Sequence, residues 1–186
     1  MEKKHVISIC GDLASGKGTV SKILSDDLNY GIYKNGEYFR KLAREHNMDV
    51  TSFNKYVESH PEIDIAIEKS AGEYASTHDN FIIDARLGWY AVPESYKVYL
   101  KVDIEESAKR AFYDPNRKSS ENFDTIEEQK ADIEKRYKME NTRYWNLYHV
   151  RKDDMSNYDL IVDTTNLTPE EVAKKIKEEY FIWLER

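Results

Sequence analysis

Gly11-Asp12-Leu13-Ala14-Ser15-Gly16-Lys17-Gly18-Thr19 stands between two stretches of different hydrophobic period. Before it, His5 to Cys10 is a short apolar run of strand length; after it, Val20, Ile23, Leu24 and Leu28 recur at helical spacing. Strand, glycine loop and helix, in that order, form the context in which G-x-x-x-x-G-K cradles phosphate. The glycines let the backbone curl so that successive N–H groups point at one anion, and the helix start adds partial positive charge. Lys17 is expected to reach the β- and γ-phosphates of a nucleotide. Gly18 follows where Ser or Thr is usual, so the hydroxyl that would meet Mg²⁺ moves to Thr19. The bland alternative is a glycine-rich turn with an exposed lysine; the spacing, the lysine and the flanking elements together favour the phosphate loop.

Working outward, Ile32 to Lys34 predicts a short strand, and Gly36 to Met48 a helix with Phe39, Leu42 and Ala43 on one face. Thr51 to Ser59 and Pro61 to Thr77 predict two more helices, the second opened by a proline whose missing N–H costs little in a first turn. Asn80 to Asp84 is an apolar strand ending in an acid, and Tyr96 to Val102 is another strand. A helix over Ile104 to Tyr113 leads into the polar stretch Asp114 to Asn122, the one segment with the composition of a mobile insert. A long charged helix is expected from Thr125 to about Tyr148, then a strand over Tyr158 to Asp163. Thr168-Pro169-Glu170-Glu171 has the form of a capping box that launches a last helix with Val172, Ile176 and Tyr180 on one face. Strands alternating with helices predict an α/β domain whose parallel sheet is covered on both faces.

The chain has 186 residues, with 28 Lys+Arg against 35 Asp+Glu and a formal charge of -7. One domain is the default at this length. The acidic balance argues against binding a nucleic-acid polymer, which calls for broad basic surfaces. Cys10 is the single cysteine, so no internal disulfide or CxxC motif exists, as suits a reducing compartment. The apolar run before Gly11 is too short for a signal peptide, and no stretch reaches membrane-spanning length, so a cytoplasmic protein with no membrane contact is expected. The five histidines show neither HxxxH nor HExxH spacing, which argues against zinc. No G-x-S-x-G elbow is present, and Asn54-Lys55 is not followed by x-Asp, so the guanine-reading signature is absent. Tyr144-Trp145 and Tyr148 read as packing under a lid rather than as a stacking surface for nucleic acid.

GKGT in place of GK[ST] is joined by NGEYFRKLA (35–43), HPEID (60–64), FIIDARLGW (81–89), RYKMENTRY (136–144) and MSNYDLIVDTTN (155–166). With these pieces, in this order, the chain resembles the cytidylate kinase-like family of archaeal type, within the P-loop nucleoside monophosphate kinases. The resemblance implies a three-layer P-loop NTPase fold with a five-stranded parallel sheet in a single kinase domain, 1–186. It also implies a helical acceptor-nucleotide subdomain over 36–78 and a small lid over about 113–136. The implied reaction transfers the γ-phosphoryl group of Mg-ATP to CMP or dCMP, giving CDP or dCDP. Expected partners are therefore ATP and one of these monophosphates, with Mg²⁺ as cofactor, in a protein taken to be a monomer. Three positions depart from the family pattern: Ala85 replaces a usual Gly, and Met139 and Asn141 replace polar and basic residues. They leave open a nucleotide-binding regulator without turnover; the other alternative keeps the phosphate loop and changes the acceptor to another monophosphate or a small metabolite.

A monophosphate kinase holds two polyanions with reacting oxygens in line while cationic donors neutralise the moving group. Arginine suits this because its planar fork grips phosphate at two points and keeps its charge. By resemblance, Arg40 and Arg86 clamp the acceptor's phosphate, with Asn35 and Gly36 nearby and Asp64 at its ribose or base. Arg136 and Arg143, seven apart on one helix face, are the lid arginines for the transferring group, set against a plain salt-bridge ladder through Glu140. Lys17, Arg86, Arg136 and Arg143 are thus the catalytic candidates. Arg110 is expected beside the donor's base or phosphates, or else as an ordinary surface arginine. Asp163, Thr164 and Thr165 are expected near the donor base. Asp84 is the strand-end acid that would order Mg²⁺ with Thr19, through water. The acceptor phosphate is already ionised at neutral pH, so no general base is required.

Overall fold

The computed structural model describes residues 4–48, 52–53, 56–57, 59–117 and 123–186. Five strands pair in parallel in the order β2-β3-β1-β4-β5: β1 (Val6–Gly11), β2 (Gly31–Lys34), β3 (Phe81–Asp84), β4 (Tyr96–Lys101) and β5 (Leu160–Asp163). The expected three-layer architecture is present. β1 is central and buried along its whole length, which is why its sequence is apolar without alternation. Its residues nevertheless divide by face. Ile7 and Ile9 pack with Val20 and Leu24 of α1 (Lys17–Leu28) and with Ile176 and Tyr180 of the last helix. Val6 and Cys10 face the opposite layer, where the clusters contain Ala71, Ala75 and Val92, and Trp89, Tyr99 and Tyr144.

The remaining helices are α2 (Asn35–Glu45), α3 (Pro61–Thr77), the single turn α4 (Gly88–Ala91), α5 (Ile104–Tyr113), α6 (Ile126–Tyr148) and α7 (Pro169–Glu185). Local capping sets several of their starts. The Thr168 hydroxyl accepts from Glu171 N at 3.2 Å while the Glu171 carboxylate accepts from Thr168 N at 2.8 Å, the reciprocal box expected at α7. Thr125 caps α6 by accepting from Glu128 N at 3.1 Å, and Asp103 caps α5 by accepting from Glu105 N and Glu106 N.

The structure shortens some expected elements. α2 stops at Glu45, three residues before Met48, and β5 starts at Leu160 because a 3₁₀ turn over Met155–Asn157 occupies the approach. That turn and α4 had no sequence signal, since three or four residues are too few to show a period. Of the helix expected over Thr51 to Ser59, residues 51, 54, 55 and 58 lie outside the described residues; Phe53 and Val57 are buried beside Ala43 of α2. Residues 118–122 of the polar stretch also lie outside them. Among the described residues, no helix is long and apolar enough to cross a membrane.

Register places the functional edge. Asp84 pairs with Ile9 and Lys34, and Gly11 pairs with Leu100, so β1, β2, β3 and β4 end side by side. The connections from β1 and β4 leave in opposite directions, which opens a crevice at the carboxyl ends of these strands.

Candidate functional site

The phosphate-type loop is held open by glycine geometry and by its own carbonyls. Gly11 has φ 154°, and a Cβ there would lie 2.3 Å from the Leu100 carbonyl oxygen, so β1 can approach β4 this closely only without a side chain. Gly16 has φ 87° and starts α1, with Ala14 also left-handed at φ 55°. The Ser15 hydroxyl donates to Asp12 O at 2.8 Å, and Ser107 of α5 donates to Leu13 O at 2.6 Å. Asp12 is turned away from the loop interior: its carboxylate accepts from the Tyr99 hydroxyl at 2.5 Å and from Val102 N at 3.0 Å. Its side chain braces the loop, leaving only its backbone for a ligand. Lys17 folds over the loop, with Nζ donating to Gly11 O at 3.1 Å and Asp12 O at 2.9 Å. Burial lowers its pKa, and Arg86 pushes the same way. An ammonium poised against two neutral carbonyls gains by meeting an anion.

Asp84 ends β3 beside the loop; a Cβ on Gly18 would lie 3.9 Å from its Oδ2. Burial raises the Asp84 carboxyl, while Lys17, Lys34 and Arg86 oppose that rise. Thr19 lies exposed on the first turn of α1. Among the described residues, no three His, Cys, Asp or Glu side chains gather to cage a metal. One carboxylate and one hydroxyl near a phosphate loop is a donor set that fits Mg²⁺, a hard ion that keeps much of its water and takes its other oxygens from phosphates.

Arg86, just past β3, lies against α6. Its Nε donates to Glu140 Oε1 at 2.6 Å, and the second oxygen of that carboxylate accepts from the Lys152 ammonium. Burial would raise the Glu140 carboxyl, but Arg86 and Lys152 hold it down at about 2. Glu140 thus turns to Arg86 and Lys152, not to the Arg136–Arg143 ladder that was the alternative to lid arginines on α6. Two helical turns separate the two arginines, and each meets a different neighbour. Arg136 lies 3.8 Å from Asp132 and lines the main cavity, whereas Arg143 lies 3.4 Å from Asp64 on α3. Asp64 is thus engaged by a basic side chain.

The main cavity, about 370 Å³, is lined by Gly11, Lys17, Arg86, Arg136, Glu140 and Lys152 among others. A second cavity, about 270 Å³, lies on the other side of the loop against Ser15, Gly16, Val20, Arg110 and Thr164. There Arg110 is no free surface arginine: Nη2 donates to Thr164 O at 2.9 Å and Thr165 O at 3.0 Å, and Nε to Glu106 at 2.9 Å. Its flat guanidinium is pinned beside the loop after β5. Asp163 accepts from Thr165 N at 3.0 Å and shapes that loop.

Of the residues expected to bind the acceptor, the structure brings few together. Asn35 Nδ2 donates to Glu68 Oε2 at 3.2 Å, and its buried Oδ1 has no partner among the described residues. Gly36 opens α2, with an Arg40 Nη1 3.6 Å from where its Cβ would be; Arg40 itself is exposed and does not line the main cavity. Trp145 is 53% exposed, contrary to the expected packing, because it points off α6 away from buried Tyr144. Of the departing positions, Ala85 and Asn141 are buried and Met139 is exposed.

Sequence reasoning missed Lys152 and Glu68. Lys152 sits in Arg151-Lys152-Asp153-Asp154, which reads as a solvated run. Glu68 had a faint signal, an acid four residues after Asp64 on a helix otherwise rich in Ile and Ala. Burial first, then Asp64, raises its carboxyl to about 7.

The sequence matches the cytidylate kinase-like family over residues 6–166. It is 37% identical over 172 residues to a cytidylate kinase of Thermoplasma volcanium, covering 90% of this chain and 86% of that one. It is 36% identical over 171 residues to a cytidylate kinase of Thermoplasma acidophilum, covering 90% and 87%. Among solved structures, a shikimate kinase from Bacteroides thetaiotaomicron superposes with a TM-score of 0.64 at 15% identity, over 94% of this chain and 97% of that one, a likeness of fold.

Proposed function

The chain belongs to the cytidylate kinase-like family, and from that membership we propose that it transfers the γ-phosphoryl group of Mg-ATP to CMP or dCMP. The observation that carries this reading is the meeting of Lys17, Arg86 and Arg136 around one cavity at the carboxyl ends of the strands. Three cations converging there suit a reaction in which charge spreads over a moving phosphoryl group.

In this reading the backbone N–H groups of residues 11–19 and the ammonium of Lys17 hold the donor's phosphates. Arg110 and Thr164 bound the second cavity, sized for the donor's base, with the guanidinium plane available for stacking. Arg86 grips the acceptor's phosphate, assisted by Arg143 and, after closure of α2, by Arg40. Arg136 approaches from α6 and stabilises the group in transit. Asn35, Gly36 and Asp64 line the acceptor side, which makes 36–78 the acceptor subdomain and about 113–136 the lid. Asp84 and Thr19 would hold Mg²⁺, which supplies charge neutralisation on the phosphates. No side chain has to take a proton, because the attacking phosphate oxygen is already ionised. Catalysis then rests on in-line positioning and on exclusion of water when the lid closes.

The test is diphosphate formation from Mg-ATP with CMP, dCMP, UMP, AMP and GMP, beside a control without acceptor. Preference for CMP or dCMP is expected. Equal turnover of all five would remove the cytidylate assignment, and nucleotide binding without product would make the chain a regulator.

A further inference from the structure

Lys152 follows α6 in a stretch whose composition is that of a solvated loop, yet its side chain is only 4% exposed. The Tyr158 hydroxyl donates to its carbonyl at 2.7 Å, and the Tyr158 ring packs edge-on against Tyr99 at 4.9 Å, so the backbone here is anchored to the sheet. The ammonium turns inward to Glu140, stands 4.7 Å from the centroid of Tyr137, and lines the main cavity with Lys17 and Arg86.

An ammonium ion loses strong hydration on burial, and a carboxylate shared with an arginine replaces only part of it. Glu140 also binds the half-exposed Arg86, so one carboxylate faces two cations and the group keeps one positive charge that no paired acid offsets within it. Of its three N–H donors, one finds an acceptor, Glu140, among the described residues. A surplus charge with two donors in hand, in the wall of a cavity that also holds Lys17, calls for an anion with several oxygens.

We propose that Lys152 binds the phosphoryl group in transit, and that Glu140 is the positioning residue that presents Lys152 and Arg86 to it together. The proposal rests on the phosphotransfer reading above. In the step concerned, the bond between the γ-phosphorus and the β–γ bridging oxygen breaks, and a bond from that phosphorus to an acceptor phosphate oxygen forms. The electron pair stays with ADP, no proton changes hands, and Lys152 contributes charge alone.

The test compares the wild type with Lys152→Met, Lys152→Gln and Lys152→Arg by steady-state kinetics, thermal melting and calorimetric titration of tripolyphosphate. The glutamine amide can still donate to Glu140, so a folded neutral variant is at hand even if methionine is not accepted. In the neutral variants kcat is expected to fall about 100-fold or more while melting stays near that of the wild type. KM for ATP and CMP should move less than about fivefold, and arginine should restore part of kcat. Tripolyphosphate should bind the neutral variants about tenfold more weakly. A folded neutral variant with full kcat and unchanged tripolyphosphate affinity overturns the proposal, as does a lowered melting temperature with full kcat. If the wild type phosphorylates no monophosphate, it is the phosphotransfer reading that fails, and the tripolyphosphate titration still decides whether Lys152 binds phosphate.

Discussion

The guanidinium of Arg143 on α6 lies 3.4 Å from the carboxylate of Asp64 on α3. The long helix is thereby tied to α3, the helix proposed to line the acceptor side of the cleft, at a point two turns beyond the arginine that lines the main cavity. The pair is partly exposed, with the Arg143 side chain 47% accessible, so it contributes under about 1 kcal/mol to stability. Its weight falls on orientation. Asp64→Asn should leave the melting curve almost unmoved while raising KM for the monophosphate about fivefold, with KM for ATP unchanged. Equal changes in both KM values would show that Asp64 acts on the whole fold and not on the acceptor side.

Lys17 has no anionic hydrogen-bond partner among the described residues, only the carbonyls of Gly11 and Asp12. Removing it takes away a half-buried charge with no carboxylate hydrogen-bonded to it and costs the fold little. Lys17→Ala is expected to melt at or above the wild-type temperature and to lose about 10³-fold or more in kcat. Full activity in this variant would falsify the role of the loop.

Two glycines of the same loop should respond differently to the same substitution. At Gly11 an added Cβ meets the Leu100 carbonyl oxygen at 2.3 Å, whereas at Gly16 it meets nothing within 4 Å. Gly11→Ala forces β1 and β4 apart and should cost about 3 kcal/mol or more. Gly16→Ala suffers only the left-handed backbone, at about 1 kcal/mol. Urea unfolding of the two variants gives the comparison, and equal losses would contradict the geometry.

Glu68 and Glu140 should give opposite pH signatures. The Glu68 carboxyl is raised from 4.5 to about 7, so the folded chain holds that proton more tightly than the unfolded chain. Its contribution is fully present below about 4.5 and disappears as pH rises through about 7, by up to about 3 kcal/mol. Glu140 is lowered to about 2; its contribution is present above 4.5 and is lost as pH falls toward that value. Relative to the wild type, Glu68→Gln should therefore gain stability between about pH 5 and 8. Glu140→Gln should flatten the acid side of the curve. Melting temperatures of the three proteins across pH decide it; parallel curves would remove both assignments.

The fold and the site were legible to different degrees, for physical reasons. Residues 11–19 announce themselves because glycine spacing, the lysine and the helix start act within one turn of chain. Thr168 and Glu171 likewise specify their capping box from four adjacent residues, and the apolar runs of β1 and β3 carry the mark of strands covered on both faces. In each case the interaction that stabilises the element lies inside the stretch that encodes it.

The cationic centre was not legible in that way. Arg86 and Glu140 are 54 positions apart, and the spacing of Glu140 between Arg136 and Arg143 pointed to those arginines and not to Arg86. Seven-residue spacing put Arg136 and Arg143 on one helix face, but which neighbour each meets depends on what stands across that face, Asp64 for one and the main cavity for the other. Lys152 reads as solvated and is buried because Tyr158 fastens its backbone to the sheet. Local backbone preference and hydrophobic period are properties of the chain, whereas the pairing of charges is a property of the distances that only the packed elements create.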